Sequence, residues 1–518
     1  MTSEHAPAIA RAQRLVRDGR AEAAVALLGG LLRATPQDPD LLTALGGVSR
    51  SAGLLDEAES AYRAALGRRP DAVIAAVGLS DVLVAKGTTA PAIQILSRIL
   101  KLAPGLVPAA LSLGAALLAA DRAEEALKVY DGLLAQQPEL PQLHANRAEA
   151  LARLGRYADS LAAAEVAHRL APEDPRIALN RAFALMVERR VEEGLEAYEA
   201  RLDPAHPTAP VRSGLALPRW AGGQPPAGPL LIAAEQGLGD EIRFAALAWT
   251  LARGGVPLVV EAEPRLLALL RRSLPDTQVV AYDRRRSGVK PVFGYGWVAR
   301  LSPRPVAWIE AGSLLLRLGL PHTGPAAPSG YLRPAAERVA AFRDRLEPLR
   351  RDGPVVGIVW GSARRDANRS RFYPPLDAWA PVLTLPGVRF VDLQYTDAAE
   401  DRKAFRDRLG VEIVPIDHLD KRNDLDGAAA LAAALDAVVG VSSSVAALAG
   451  AVGTPTVEVM ADRIWLPRID GRDALLGPIR FAEADTPGDW ETAMRRAAAT
   501  LAGLLPGATQ PGASQPGG

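Results

Sequence analysis

Over its first two fifths the chain places apolar side chains at helical spacing, and small residues return at two fixed offsets within each helical pair. One set is Ala12, Gly46, Ser80, Gly114, Ala148 and Ala182; the other is Ala24, Ala58, Ala92, Ala126, Ser160 and Gly194. Helices cross closely only where side chains are small, so the pattern predicts antiparallel hairpins. Between the two helices the turn needs a residue tolerant of a left-handed backbone, which Gly19, Gly53, Gly87 and Gly155 supply, with Asp121 and Arg189 as exceptions. Tyr62, Tyr130 and Tyr198 are placed to fill the wider gaps. A proline follows every 34 residues, at Pro36, Pro70, Pro104, Pro138 and Pro172, and ends each second helix because it clashes with the preceding turn and has no N–H. An ordinary helical bundle would not hold one spacing five times. Six units over about residues 5–206 are expected, the last imperfect.

This 34-residue unit resembles the tetratricopeptide repeat, which implies a solenoid whose usual role is to hold a protein or peptide. The period then changes. Prolines crowd 207–228, read as a linker between separately folding parts. Beyond it, short apolar runs alternate with helical patterns. Strands are expected at Leu230–Ala234, Pro257–Glu261, Gln278–Ala281, Val355–Trp360, Val388–Leu393, Val411–Pro415, Ala437–Val441 and Thr456–Met460, and helices at Ala428–Leu435, Val445–Val452 and Trp490–Leu504. Such alternation favours parallel sheets with right-handed crossovers. The fold class is α + α/β: an α-solenoid over 1–206, then two Rossmann-like doubly wound domains at 229–335 and 336–505 with a cleft between them. The tail 506–518 is expected to lack folded structure.

Composition narrows the chemistry. A length of 518 residues calls for more than one core, and a net charge of +1 argues against a polyanion partner, so no nucleic acid is expected. The run Arg284–Arg286 reads as solvated loop. There is no cysteine, which excludes disulfides, thiolate metal sites and a cysteine nucleophile; the six histidines show no metal-ligand spacing. The start has no basic stretch followed by an apolar run, and the apolar stretch Ala428–Val459 is interrupted by Asp436, three serines, Gly453 and Pro455. A cytoplasmic protein without membrane insertion is expected.

The segment Ala234-Glu235-Gln236-Gly237-Leu238-Gly239-Asp240-Glu241-Ile242 resembles the glycine turn of bacterial glycosyltransferases related to the lipopolysaccharide heptosyltransferases, glycosyltransferase family 9. Val356-Gly357-Ile358-Val359-Trp360-Gly361-Ser362 is similar to the opening of their second domain, and Ala446–Pro455 to their late helix. Behind tetratricopeptide repeats this pair resembles repeat-bearing transferases, some of which modify flagellin, and more distantly the O-linked N-acetylglucosamine transferases. Val391-Asp392-Leu393-Gln394-Tyr395 and Asn423-Asp424-Leu425-Asp426-Gly427 favour the first of these. The resemblance implies a GT-B fold, with 229–335 on the acceptor side and 336–505 on the nucleotide-sugar side. It also implies metal-independent transfer from a nucleotide sugar, which is a substrate, so that no cofactor is called for.

On that resemblance Asp240 is the expected base, with Glu235 and Glu241 in reserve; a carboxylate at a strand-to-helix turn can reach a cleft and take a hydroxyl proton. The alternative is that Asp240 caps its helix and offsets the dipole. Ser442, Ser443 and Ser444, between strand and helix, suit a phosphate, as does the turn Trp360, Gly361 and Ser362 with Arg364, Arg365 and Arg369 behind it; helix capping and solvated loop are the alternatives. Gly237, Gly239, Gln394 and Tyr395 complete the expected donor site. Many relatives carry an acid in place of Ser442 and a histidine in place of Ala447. Gly237-Leu238-Gly239 with Glu261 imitates a dinucleotide fingerprint, but Ile242 stands where a third small residue belongs. Asp424-Leu425-Asp426 imitates a metal motif, yet its place before a helix favours a cap, with orientation of the nucleoside as a second candidate role. The expected function is transfer of a sugar to a hydroxyl of a protein acceptor, flagellin being the sharpest candidate, recruited by the repeats. The alternatives are a polysaccharide or lipid-linked glycan acceptor, or a noncatalytic adaptor.

Overall fold

A computed structural model describes residues 4–17, 19–235, 237–287, 290–319, 326–361, 371–460 and 462–505. Gln236, Ser362, Arg364, Arg365, Arg369 and the tail 506–518 lie outside the described residues.

The repeats are six hairpins: Ala6–Arg17 with Ala21–Leu32, Pro39–Ser51 with Leu55–Arg68, Val73–Ala85 with Thr89–Leu102, Val107–Ala119 with Ala123–Leu134, Pro141–Arg153 with Tyr157–Leu170, and Pro175–Val187 with Val191–Tyr198. Each recurrent proline falls between hairpins. Gly19, Gly53, Gly87 and Gly155 turn with φ of 75°, 80°, 80° and 72°, and Asp121 and Arg189 adopt the same left-handed backbone at 59° and 65°. The small residues make room for the aromatics. A Cβ on Gly46 would lie 2.8 Å from the Tyr62 ring, one on Gly78 of the next hairpin would overlap it, and Tyr130 sits likewise on Gly114. One ring thus fills the gap between successive hairpins.

Fifteen strands follow among the described residues: β1 (Val211–Ser213), β2 (Leu230–Ala233), β3 (Leu258–Ala262), β4 (Gln278–Ala281), β5 (Asp283–Ser287), β6 (Lys290–Gly294), β7 (Ala307–Glu310), β8 (Val355–Val359), β9 (Arg389–Asp392), β10 (Ile413–Val414), β11 (Ala437–Val441), β12 (Thr456–Met460), β13 (Arg468–Ile469), β14 (Arg472–Asp473) and β15 (Ile479–Glu483). The first main sheet runs β4-β3-β2-β7, all parallel. The second runs β10-β9-β8-β11-β12-β15-β14-β13, parallel except at the β13–β14–β15 end. A third, small sheet has the order β1-β6-β5. The arginine run Arg284–Arg286, read from sequence as loop, is strand β5; its outward charge hides a ladder in which Arg284 pairs with Phe293 and Arg285 with Val292.

The stretch 207–228, read as a linker, is folded onto the first sheet. β1 pairs with β6, Trp220 is buried, and its N–H donates to Trp308 O at 2.7 Å. Arg219 Nε donates to Glu310 at 2.7 Å while its Nη2 donates to Glu199 of the repeats, also at 2.7 Å. Arg201, at the end of the last repeat and 7% exposed, donates to both oxygens of Glu235, at 2.9 and 2.8 Å, and to Ser313 at 2.9 Å. A buried guanidinium and carboxylate tolerate the loss of water only together, so this pair ties the repeats to the sheet.

The two main sheets share a core rather than sitting as separate bodies. Met186 and Tyr198 of the last hairpin, Ile232 and Phe244 beside the first sheet, and Leu448 and Ile479 beside the second belong to one apolar cluster. Backbone bonds cross the junction from Ala326 N to Ala474 O (2.8 Å) and from Tyr331 N to Ala451 O (2.7 Å). Arg243, on the helix after β2, pairs with Glu458 of β12 and Asp473 of β14 in a fully buried ion cluster.

Candidate functional site

Strand order determines where a ligand can enter. From β2 the chain moves outward through β3 and β4 and then returns to place β7 on the other side of β2; from β8 it moves through β9 and β10 and returns to place β11 beside β8. At such reversals the connections leave the strands in opposite directions and open a crevice at the carboxyl ends. The turn after β2 holds Gly237–Asp240, and the turn after β11 holds Ser442–Ser444. They face each other closely, since a Cβ on Gly239 would lie 3.5 Å from Ser444 N. Between them is a cleft of about 530 Å³ lined by Asp240, Arg243, Tyr373, Tyr395, Ser442–Ser444 and the loop Ile464–Leu466.

The two turns present different chemistry. Gly237 begins the helix Leu238–Arg253 without a side-chain cap, and Asp240 stands in its first turn, where the positive end of the helix favours its charge. Opposite, Ser443 caps the helix Ser444–Ala451 by accepting from Ala446 N at 3.3 Å. That cap leaves other first-turn N–H groups of this helix directed at the cleft with the exposed Ser442 beside them, an arrangement suited to an anion.

Of the three expected acids only Asp240 lines the cleft. Glu235 is held by Arg201 and accepts from Gly312 N at 2.7 Å. Glu241 points into the core, accepts from Glu263 N at 2.5 Å, and is pushed up to about 8 by burial, with Glu263 and Glu261 adding to the shift. Glu261 is pushed up to about 7, also by burial, against the opposing Tyr295 hydroxyl, which donates at 2.8 Å.

The other expected residues divide in the same way. Tyr395 reaches the cleft. Gln394 is buried behind it and builds the turn after β8, accepting from Trp360 N and Gly361 N at 3.3 Å each and donating to Gly361 O at 3.1 Å. Trp360 packs edge-on to Phe405 and donates to Asp401 at 2.8 Å. Asp424 caps its helix through Gly427 N at 2.9 Å and pairs with Arg338, which holds its carboxyl below the usual range. Asp426 receives Arg272 at 2.7 Å. Asp426 therefore ties a helix of the first sheet to the second sheet's side, whereas Asp424 joins two helices of the second sheet, and both lie away from the cleft lining. Among the described residues no group of three or more potential ligand side chains is placed to hold a metal.

Arg243, Tyr373 and the loop Ile464–Leu466 are lining residues that the sequence reading missed. Arg243 lies three residues after Asp240 on one helical face, a spacing that does signal a shared wall. The loop follows β12, a third carboxyl edge, and packs against the repeats: Tyr157 donates to Asp462 at 2.5 Å, and the Trp465 ring lies 5.6 Å from Tyr198 and 6.1 Å from Phe183.

The tetratricopeptide repeat family matches residues 9–67, 50–107 and 83–150. The N-terminal region is therefore a tetratricopeptide solenoid, a scaffold for protein contacts, followed by a region of mixed parallel sheets and helices. Protein FlbA of Caulobacter vibrioides is 36% identical over 323 residues, which is 60% of this chain and 52% of that protein. The match is longer than the repeat region, and the chain spans about half the length of this curated relative. Among solved structures, a thermophilic tetratricopeptide-repeat protein of Thermus thermophilus is 25% identical with a TM-score of 0.32, covering 35% of this chain and 98% of its own. PilW, a type IV pilus biogenesis factor, is 17% identical with a TM-score of 0.34, covering 39% and 93%. No helix among the described residues is long and apolar enough to cross a membrane.

Proposed function

We propose that this protein is a cytoplasmic GT-B glycosyltransferase that moves a sugar from a nucleotide-activated donor to a hydroxyl of a protein held by the repeats, flagellin being the named candidate. One observation carries the reading: a cleft at two strand-order reversals with a carboxylate, Asp240, on one wall and the serine-capped helix N-terminus on the other. In the proposed reaction the acceptor oxygen attacks the anomeric carbon as Asp240 takes its proton. The bond from that carbon to the phosphate oxygen breaks, and the phosphate leaves with the electron pair. The N–H groups and hydroxyls of Ser442–Ser444 receive the developing negative charge without a metal ion.

The test is sugar release from nucleotide sugars, followed by transfer to a candidate acceptor read by intact mass. Asp240→Asn keeps the shape and should lower turnover ~100-fold or more with nucleotide affinity little changed. Activity should survive EDTA. Normal turnover in Asp240→Asn removes the base; loss in EDTA restored by manganese removes the metal-free mechanism. The second reading, a noncatalytic adaptor, has one observation in its favour: Ala447, where many relatives carry a histidine, is a fully buried methyl in the shared core. Nucleotide binding without turnover of any donor would establish it.

A further inference from the structure

Three cavities succeed one another from the repeats to the cleft. The first, of about 300 Å³, lies between the fifth and sixth hairpins and the second sheet, with Ala148, Asn180 and Phe183 on one wall and Arg371 and Asp462 on the other. Phe183 is also a wall of a second cavity, of about 360 Å³, bounded by Leu179, Tyr198, Thr208, Arg284 and Pro291. That second cavity ends on Gly237, which lines the cleft in turn. It thus adjoins the Asp240 side of the cleft, away from the Ser442–Ser444 turn.

Its charge is lopsided. Arg284 lies opposite Phe293 and Arg286 opposite Pro291 in the β5–β6 ladder, so both arginines share the face of the hairpin that Arg284 and Pro291 turn to the cavity. Arg285, on the other face, pairs with Asp283 at 3.3 Å. Among the described residues neither Arg284 nor Arg286 has a carboxylate ion pair, and both are exposed. Arg201 in the same cavity is already neutralised by Glu235 and Glu199. Arg284 rests over the Phe293 ring, 5.7 Å from its centre, and reaches the Tyr282 hydroxyl, so positive charge that no carboxylate ion pair neutralises stands beside apolar walls made by Leu179, Phe183, Tyr198 and Pro291.

We propose that this second cavity is an acceptor subsite that takes an extended polypeptide segment carrying acidic side chains next to the residue to be modified. The proposal rests on the transferase reading above. A strand entering past Phe183 and leaving past Gly237 runs from the repeats to Asp240 without crossing the phosphate side. Its acidic groups meet Arg284 and Arg286 while its apolar side chains rest on the aromatic wall. A sugar nucleotide, whose phosphates belong at the serine turn, leaves this space free.

The chain has no cysteine, so Thr208→Cys places a unique thiol at the cavity rim for a benzophenone label. The probe is a short fluorescein-labelled serine peptide flanked by aspartates, compared with the same peptide carrying asparagines, at low salt and without donor. The aspartate peptide should bind roughly fivefold more tightly, Arg284→Glu should erase that preference, and Arg284→Lys should keep it. Irradiation should attach the aspartate peptide at position 208. Equal affinity for the two peptides in the unmodified chain, or no light-dependent attachment in a folded Thr208→Cys protein, overturns the subsite. Binding is read without chemistry, so a peptide that binds and attaches but is never glycosylated counts against the transferase reading alone. Transfer that ignores Arg284→Glu counts against the subsite alone.

Discussion

The second to fourth hairpins and the last hairpin are built from the same repeat but stabilised differently. In the former, Tyr62 and Tyr130 rest on Gly46, Gly78 and Gly114, and the core is made of neighbouring repeats only. The last hairpin keeps the small residues Ala182 and Gly194, yet its Met186, Leu195 and Tyr198 belong to the core of the α/β half, and the segment after it supplies Arg201 to Glu235. A solenoid stabilised by nearest neighbours tolerates local opening; a hairpin joined to a second core cannot open alone. The repeats are thus graded from an independent stack to an integral part of the α/β core.

The sharpest break of that comparison is Arg201→Ala. It leaves Glu235 buried without its cation and should cost ~3–5 kcal/mol in the α/β half, read as a lower urea midpoint of the whole chain. A chain beginning at Gly228 lacks β1, Arg201 and Arg219 and should fail to unfold cooperatively for the same reason. Tyr130→Ala should cost ~3 kcal/mol, but locally: hydrogen exchange should quicken across 107–134 while β2 and β11 stay protected. Equal acceleration in both halves would show that the stack is not independent.

A pH series separates the halves by chemistry. Among the described residues the α/β half buries Glu241 and Glu261, whereas the buried polar side chains of the six hairpins are serines. Both glutamates have folded values raised, to about 8 and about 7, so the folded chain holds protons that the unfolded chain releases near the ordinary carboxylate value. Their stability contribution is full below that ordinary value and is lost as pH rises through about 7 to 8. Thermal midpoints should therefore fall from pH 6 to pH 8.5, and Glu241→Gln should flatten the slope by roughly 1.4 kcal/mol per pH unit. An unchanged slope in that variant would assign the effect elsewhere. The smallest expected change is a gain: Arg189→Gly at a φ of 65° should stabilise the last turn by up to ~1 kcal/mol, seen as a higher thermal midpoint.

The sequence by itself determined what depends on local spacing. The 34-residue phase set the hairpins, and even the two non-glycine turns, Asp121 and Arg189, took the left-handed backbone their register demands. Gln278–Ala281, Ala437–Val441 and Thr456–Met460 are strands as read, because buried parallel strands are continuous apolar runs bounded by turn residues. The glycine and serine turns were legible as site candidates because they follow such strands. β1, the β5–β6 hairpin, β7 and β15 were not legible, being short, charged or mixed in character, with their ladders closed by distant partners. Only the tertiary structure separated the surroundings of the three acids. Glu235, Asp240 and Glu241 are near neighbours with similar intrinsic chemistry, and what separates them is an arginine from the last repeat, a cleft wall and the Glu263 N–H. Periodicity is a property of neighbouring residues, whereas the ionisation and reach of a carboxylate depend on the groups that the fold brings to it.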